Sequence, residues 1–211
     1  MNEVPRVPPT VHTADTSTAD TLFADYARRL SETLDGYDWS PVGELAEDLL
    51  EAWKARRQVF FCGNGGSAGN AVHLANDLIY AVSKVPGCGI RAHALPANPS
   101  VLTCLANDEG YETIFAIQLG VMADPDDILV CLSVSGNSPN VLRALEEARR
   151  IGMKSYAVVG QSGGVAREIA DRSVHIPIDD MQIAEDAQLI VGHMLMRYLW
   201  TKREDVIGGM R

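Results

Sequence analysis

The residues from Phe60 to Asp77 read FFCGNGGSAGNAVHLAND. An apolar, strand-like run comes first, a glycine-rich loop follows it, and a helical pattern completes the stretch. This succession is the opening unit of an α/β domain, in which helices cover a parallel sheet. Because the stretch also carries Ser67, His73 and Asp77, it raises a functional question. It could be a phosphate cradle, part of a metal site, both, or only a tight turn.

Strands and helices continue to alternate toward the end of the chain. The five runs that predict strands are apolar and bounded by Gly, Pro or Asp: QVFFCGN (58–64), IRAHAL (90–95), DILVCLSV (127–134), KSYAVVG (154–160) and RSVHIPI (172–178). Helical character predicts helices over 67–84, 111–122, 138–151, 164–170 and 181–202. The alternation predicts a parallel sheet with helices on both faces.

The N-terminal part differs from the rest of the chain. Residues 1–20 are rich in Pro, Thr and Asp and have little periodicity, which predicts a mobile arm. From Thr21 onward, apolar residues at helical spacing predict two amphipathic helices before the first strand. The predicted organisation is therefore an arm over 1–20 and a single domain over 21–211 that includes this helical extension.

Composition narrows the class of protein. The 211 residues are 46% hydrophobic and 22% charged, which suits one globular domain. The net charge of -10 disfavours nucleic acids and anionic membranes as partners. Four cysteines lack CxxC spacing and are expected to be reduced. Without a long apolar stretch or a signal region, the sequence predicts a cytoplasmic protein with no membrane contact.

The loop after the third predicted strand, SVSGNSPN (133–140), is suited to binding an anion. Ser133, Ser135 and Ser138 offer hydroxyls, and Gly136 permits close approach of the backbone. Pro139 suits the first turn of a helix, whose N-terminus attracts negative charge. We therefore expect the loop to hold a phosphate. The alternative is a purely structural loop in which Ser138 caps the helix.

The first loop, GNGGSAGN (63–70), has no lysine after its glycines and matches the dinucleotide pattern only loosely. Asn64, Gly65 and Ser67 could approach a sugar or its phosphate, and Ser67 is also expected to cap the helix. In open parallel sheets, ligands bind beyond the carboxyl ends of the strands, near the point where strand order reverses. Both loops are therefore expected at one site.

Two helices carry histidine and carboxylate side chains at helical spacing. His73 and Asp77 lie four residues apart, and Glu185 and His193 lie eight apart on the last helix. Together they could complete a tetrahedral zinc site if the two helices meet. Spacing does not show that they meet, and solvated charges or core histidines are the alternative.

These motifs, with CLANDEGYETIFAIQL (104–119) between them, resemble the SIS (sugar isomerase) domain and in particular the phosphoheptose isomerase family. The resemblance implies a five-stranded parallel sheet in a flavodoxin-like three-layer sandwich, with N-terminal helices used for oligomerisation. It also implies a homotetramer with active sites between subunits. The implied activity converts sedoheptulose 7-phosphate to D-glycero-heptose 7-phosphate, the first step of activated-heptose biosynthesis.

The resemblance also implies roles for individual residues. Asp77 and His193 become the catalytic pair, and His73, Asp77, Glu185 and His193 become the zinc ligands around the substrate carbonyl. The residues implied to contact the phosphosugar are Asn64, Gly65, Ser67, Asn98, Asp108, Ser133, Val134, Ser135, Ser138 and Glu185.

Several positions depart from the family pattern. Val134 replaces a usual Thr, Asp77 a Glu, Glu185 a Gln, and Asn98 and Gln182 each an Asp. These changes keep two other readings open: an isomerase of another phosphosugar, or a non-catalytic regulator like the relative that binds the replication initiator DnaA. The surviving pair of Asp77 and His193 favours an enzyme.

Overall fold

The computed structural model describes residues 18–210. Within them the strands are β1 (Gln58–Cys62), β2 (Arg91–Ala94), β3 (Ile128–Ser133), β4 (Lys154–Val159) and β5 (Arg172–His175). The helices are α1 (Ala19–Leu34), α2 (Ser40–Lys54), α3 (Gly66–Asn76), α4 (Pro99–Asp108), α5 (Ala116–Met122), α6 (Pro139–Ile151), α7 (Gly164–Ile169) and α8 (Met181–Met210).

The five strands form one parallel sheet in the order β2-β1-β3-β4-β5. The chain leaves β1 toward β2 on one side and then returns to place β3 on the other side. Strand order therefore reverses between β1 and β3, which lie in register with Cys62 opposite Cys131. The loops after these two strands meet at the switch point, where the sequence predicted a ligand site.

Two apolar layers cover the sheet, and strand residues alternate between them. Phe61 and Val130 face a core built with α2, α3 and α8. Phe60 and Leu129 face the other core, which α5, α6 and α7 supply. All residues of β1 and β3 are buried, as expected for central parallel strands. The predicted five-stranded parallel sheet flanked by helices is confirmed.

Several predicted helix boundaries were wrong. The helix expected over 67–84 is α3 followed by a single π-helical turn, Asp77–Ala81. The helix expected over 111–122 is divided into a 3₁₀ turn at Tyr111–Thr113 and α5. The closing helix continues to Met210 instead of ending at residue 202. Helix α4 was not predicted, although Asn98 and Pro99 are ordinary helix-start residues.

The N-terminal helix α1 is attached mainly by polar contacts. Tyr26 donates a 2.6 Å hydrogen bond to Asp186, and Arg29 lies 2.8 Å from Asp180. No residue of α1 is buried, and Phe23 is 70% exposed. Residues 1–17 of the predicted arm lie outside the described residues, and its last three already include the start of α1. No helix within residues 18–210 combines the length and apolar character needed to cross a membrane.

Candidate active site at the carboxyl edge of the sheet

A cleft of ≈ 270 Å³ opens between the loops that follow β1 and β3. The residues that line it come from both loops and from the start of α8: Asn64, Ser67, Leu132, Ser133, Val134, Ser135, Ser138, Gln161, Met181 and Glu185. Seven of the residues implied to contact a phosphosugar are thus brought together. A larger cleft at the amino end of the strands, near Lys154 and Arg172, contains none of them.

The loop after β3, residues Ser133 to Ser138, is called the serine loop. Two of its hydroxyls accept hydrogen bonds within the loop, and the third remains available. Ser133 Oγ accepts a 3.1 Å hydrogen bond from Gly136 N–H, and Ser135 Oγ accepts one of 3.3 Å from Asn137 N–H. Ser138 occupies the N-cap position of α6, but its side chain makes no capping hydrogen bond. The structural alternative, in which this hydroxyl serves as the cap, is therefore wrong. The hydroxyl can instead meet a ligand at the N-terminus of α6.

The glycine of the serine loop packs against the turn before α7. Gly136 has φ +65°, and a Cβ at this position would lie 1.9 Å from the carbonyl oxygen of Gly163. Ala166 N–H donates to Gly136 O at 2.9 Å, and Val165 N–H donates to Asn137 Oδ1 at 3.1 Å. The loop is therefore held by a neighbouring turn, which fixes the hydroxyls before a ligand binds.

The first loop differs from its predicted arrangement at Ser67. Gly65, with φ +56°, occupies the N-cap of α3, and Ser67 lies inside the helix. The Ser67 hydroxyl is buried and donates to Gln188 Oε1 of α8 at 3.0 Å. Its predicted capping role is therefore wrong, because the helix begins one residue before it. Ser67 still lines the cleft and tethers α3 to α8.

A cluster of two histidines and a carboxylate lies where α3 and α8 meet. The Nε2 atoms of His73 and His193 are 3.0 Å apart. Asp77 Oδ2 lies 3.4 Å from the first of these nitrogens and 3.7 Å from the second. The histidine side chains are about half exposed, at 47% and 49%, whereas the carboxylate is only 14% exposed. The imidazole rings of the two histidines are therefore accessible to solvent, and the Asp77 carboxylate lies on the more buried side of the cluster.

A glycine explains why the two helices come this close. A Cβ at Gly192 would lie 2.0 Å from the Leu74 side chain. Each of these residues immediately adjoins a histidine of the cluster in sequence. Because Gly192 has no Cβ, the Leu74 side chain packs directly against its backbone, and this close packing brings His193 within reach of His73. The π-helical turn begins at Asp77 and leaves its one-turn spacing from His73 intact, because Asp77 N–H still bonds to the His73 carbonyl.

The cluster fits a zinc ion. At ordinary zinc–ligand lengths, the ligand atoms of a tetrahedral site lie about 3.3 Å apart. The three observed separations of 3.0, 3.4 and 3.7 Å surround that value. Each of the three side chains can contribute one ligand atom, because these atoms all lie within 4.8 Å of one another. Three protein ligands leave one position open, as in catalytic zinc sites.

Glu185 lies away from this cluster. Its carboxylate covers Gly66 at the start of α3, where an added Cβ would lie 2.1 Å from Glu185 Oε2. Eight residues along α8 separate Glu185 from His193 by about 12 Å, and the group within residues 18–210 that could hold a metal ion does not include it. Glu185 instead lines the cleft beside the serine loop.

Asn98 and Asp108 lie at the two ends of α4, and neither lines the cleft. The Asn98 side chain caps α4 by accepting from Ser100 N–H and Val101 N–H. Asp108 accepts a 2.6 Å hydrogen bond from Asn107 and is exposed. Asp108 is the last residue of α4 and does not cap the 3₁₀ turn that follows, whose N-cap is Gly110.

Three side chains that sequence reasoning overlooked hold the site together. Gln188 accepts from Ser67, and Asn140 and Tyr111 both contact Asn64. Asn140 and Tyr111 lie in motifs already quoted for the resemblance. Their polar character within those motifs could have marked them as site residues. Their contacts with Asn64, however, join positions 76 and 47 residues apart in the sequence.

Comparison with known proteins gives a consistent result. The family model described as SIS domain matches residues 22–160. A phosphoheptose isomerase from Akkermansia muciniphila is 36% identical over 168 residues, which is 80% of this chain and 87% of that protein. One from Chlorobaculum parvum is 38% identical over 173 residues, or 81% and 83% of the two chains.

Solved structures agree with the sequence matches. A phosphoheptose isomerase from Francisella tularensis superposes with a TM-score of 0.80 at 27% identity, covering 87% of this chain and 96% of that one. The enzyme from Neisseria gonorrhoeae gives a TM-score of 0.78 at 26% identity, covering 85% and 97%.

Proposed function

The chain belongs to the phosphoheptose isomerase family of SIS domain proteins, and we propose that it converts sedoheptulose 7-phosphate to D-glycero-heptose 7-phosphate. One observation carries the proposal: α3 joins the cleft, which Ser67 lines together with the serine loop, to the His–Asp–His cluster. Ser67 and His73 are separated by about 9 Å of helix. An extended sugar phosphate can therefore place its phosphate at the loop and its carbonyl at the cluster.

The proposed chemistry is proton transfer through an enediol. Asp77 takes the proton from the hydroxyl-bearing carbon next to the carbonyl and returns it to the former carbonyl carbon. His193 moves protons between the two oxygens. A bound zinc ion supplies Lewis-acid polarisation of the carbonyl. Ser133, Ser135, Ser138 and the Val134 backbone hold the phosphate and so position the opposite end of the substrate.

Turnover provides the test. Purified protein is incubated with sedoheptulose 7-phosphate and a panel of pentose and hexose ketose phosphates, with and without zinc, and aldose formation is followed by NMR. We expect conversion of the heptose and slower conversion of shorter sugars. Faster conversion of a shorter sugar would assign a different substrate. An absence of all turnover would contradict the enzyme and favour the non-catalytic reading.

We propose a zinc site of His73, Asp77 and His193, without Glu185. His73→Ala is expected to lower the zinc content of purified protein from about one ion per chain to a small fraction, since two remaining ligands hold zinc poorly. Glu185→Ala is expected to keep its zinc. Elemental analysis after gel filtration measures both. His175→Ala, a histidine outside the cluster, is the matched control. Equal zinc loss in the Glu185 and His73 variants would return Glu185 to the ligand set.

We also propose a homotetramer in which α1 contributes to the contacts. The support is that Leu22 and Phe23 are 54% and 70% exposed on a helix with no buried residue. Replacing both with Asp is expected to yield smaller species in gel filtration with light scattering, because the apolar contact is lost. Asp25→Asn on the same helix is the control. A wild-type monomer, or an unchanged assembly in the double variant, would contradict the proposal.

One further assignment follows from this assembly, and a second rests on the cysteines. Asn98 and Asp108, which lie outside the chain's own cleft, are proposed to reach the site of a neighbouring subunit, and activity restored on mixing Asp108→Ala with His193→Ala protein would test this. A cytoplasmic location is proposed on the four free thiols, because oxidising compartments favour disulfides. Cell fractionation is the corresponding measurement.

A further inference from the structure

A reciprocal amide pair joins the two loops of the cleft. Asn64 Nδ2 donates to Asn140 Oδ1 at 2.8 Å, and Asn140 Nδ2 donates to Asn64 Oδ1 at 2.8 Å. Asn64 belongs to the loop after β1, and Asn140 lies in the first turn of α6, directly behind the serine loop. Asn140 is 1% exposed, so the pair is formed where water competes little.

One backbone group fixes the direction of every bond in this pair. Val141 N–H is shared between Ser138 O and Asn140 Oδ1, each at 3.0 Å, and a backbone N–H can only donate. The side-chain atom it meets must therefore be the amide oxygen, which turns the Asn140 NH₂ toward Asn64. An NH₂ group can only donate as well, so the atom of Asn64 that it meets is the oxygen. The orientation of Asn64 follows from that of Asn140.

Tyr111 holds the Asn64 amide in place from the other side, and its hydroxyl suits the orientation that Asn140 sets. Its hydroxyl donates to Asn64 Oδ1 at 3.1 Å, so this oxygen accepts two hydrogen bonds. The Asn64 NH₂ group uses one hydrogen on Asn140, and no other acceptor within residues 18–210 takes the second. The remaining hydrogen-bonding capacity of Asn64, a residue lining the cleft, is one N–H donor.

We propose that Asn64 is a fixed hydrogen-bond donor to an oxygen of the phosphosugar, and that Asn140 and Tyr111 are positioning residues: Asn140 sets the orientation of the Asn64 amide, and Tyr111 holds the amide in place. This inference rests on the proposed function for the identity of the ligand. Without Tyr111 and Asn140, the Asn64 amide could turn its oxygen toward the cleft, where it would repel a phosphate or carbonyl oxygen. Specificity for an oxygen-rich anion would weaken accordingly.

The test is a double-variant cycle in the full-length protein. Tyr111→Phe removes one hydroxyl from a side chain that is 58% exposed, so folding is preserved. We expect KM for sedoheptulose 7-phosphate to rise about two- to tenfold, the effect of one neutral hydrogen bond, with kcat nearly unchanged. Asn64→Ala is expected to raise KM by about ten- to a hundredfold. In the Asn64→Ala background, Tyr111→Phe should raise KM no further.

Tyr198→Phe is the matched control, because it removes a hydroxyl that donates to Glu47 away from the cleft. The same cycle is measured as Kd for sedoheptulose 7-phosphate by calorimetry, which separates the two proposals. An unchanged KM in Tyr111→Phe, or an equal rise in both backgrounds, would overturn the positioning role while leaving the isomerase intact. Coupled binding without turnover would overturn the isomerase alone. A wild type that neither binds nor converts the sugar would overturn both.

Discussion

Replacing Asp77 with Asn is expected to lower kcat by about a hundredfold to ten-thousandfold. Asparagine keeps the size of the side chain but cannot accept a proton, and a positioned general base contributes an effect of this order. The same change removes the anionic member of the His–Asp–His cluster, so zinc content should fall as well. Steady-state kinetics with sedoheptulose 7-phosphate, together with elemental analysis, measures the two effects.

The fold should survive this change. The carboxylate contacts two half-exposed histidines, and asparagine has nearly the same size, so the packing around it is preserved. Asp205→Asn is the control, because it neutralises an exposed carboxylate on α8, about 18 Å along that helix from His193. An Asp77→Asn enzyme that retained more than about a tenth of its kcat at full zinc content would exclude Asp77 as the base.

The shorter side chain at this position makes Asp77→Glu a useful companion variant. The family resemblance implies Glu here, and a displacement on the order of 1 Å can change rates by about a hundredfold. If the helix crossing at Gly192 places the backbones closer than usual, Asp is the better fit and Asp77→Glu will be slower. Higher kcat in the Glu variant would instead show that the natural carboxylate falls short of the substrate.

The sheet and the position of the cleft could be predicted from the sequence because both depend on local signals. Apolar runs bounded by Gly and Pro predict the strands, and the alternation with helices sets them parallel. Once they are parallel, the loops at Gly63 and Ser133 must lie at the same edge. The anion-binding character of the serine loop follows from residue types alone.

The contacts of individual side chains in the site could not be predicted from the sequence, because they depend on the distances between helices. Helical spacing allows one site with four ligands: His73, Asp77, Glu185 and His193. The crossing of α3 and α8 brings only three of these side chains together and leaves Glu185 beside the cleft. The signal for that crossing was Gly192, a glycine inside a helix directly before His193, since such a glycine often marks close packing.

Gly136→Ala is expected to disable the phosphate loop and to destabilise the protein. A Cβ would lie 1.9 Å from the carbonyl oxygen of Gly163, and φ at this residue is +65°. The left-handed conformation costs about 1–2 kcal/mol for alanine, and forced separation of packed groups about 1–3 kcal/mol more. The free energy of unfolding should thus fall by about 2–5 kcal/mol in denaturant titrations. KM should rise by about tenfold or more, because the hydroxyls lose their fixed positions.

Gly36→Ala separates the two causes. Gly36 also has a positive φ, +75°, but an added Cβ there meets nothing within 4 Å and lies far from the serine loop in sequence. The free energy of unfolding of Gly36→Ala should fall only by the cost of the left-handed conformation, about 1–2 kcal/mol, and its KM should stay normal. If Gly136→Ala behaved the same way, the contact with the Gly163 turn would not be what holds the loop. A larger loss accompanied by weaker substrate binding would instead show that the turn before α7 supports the phosphate site through Gly136.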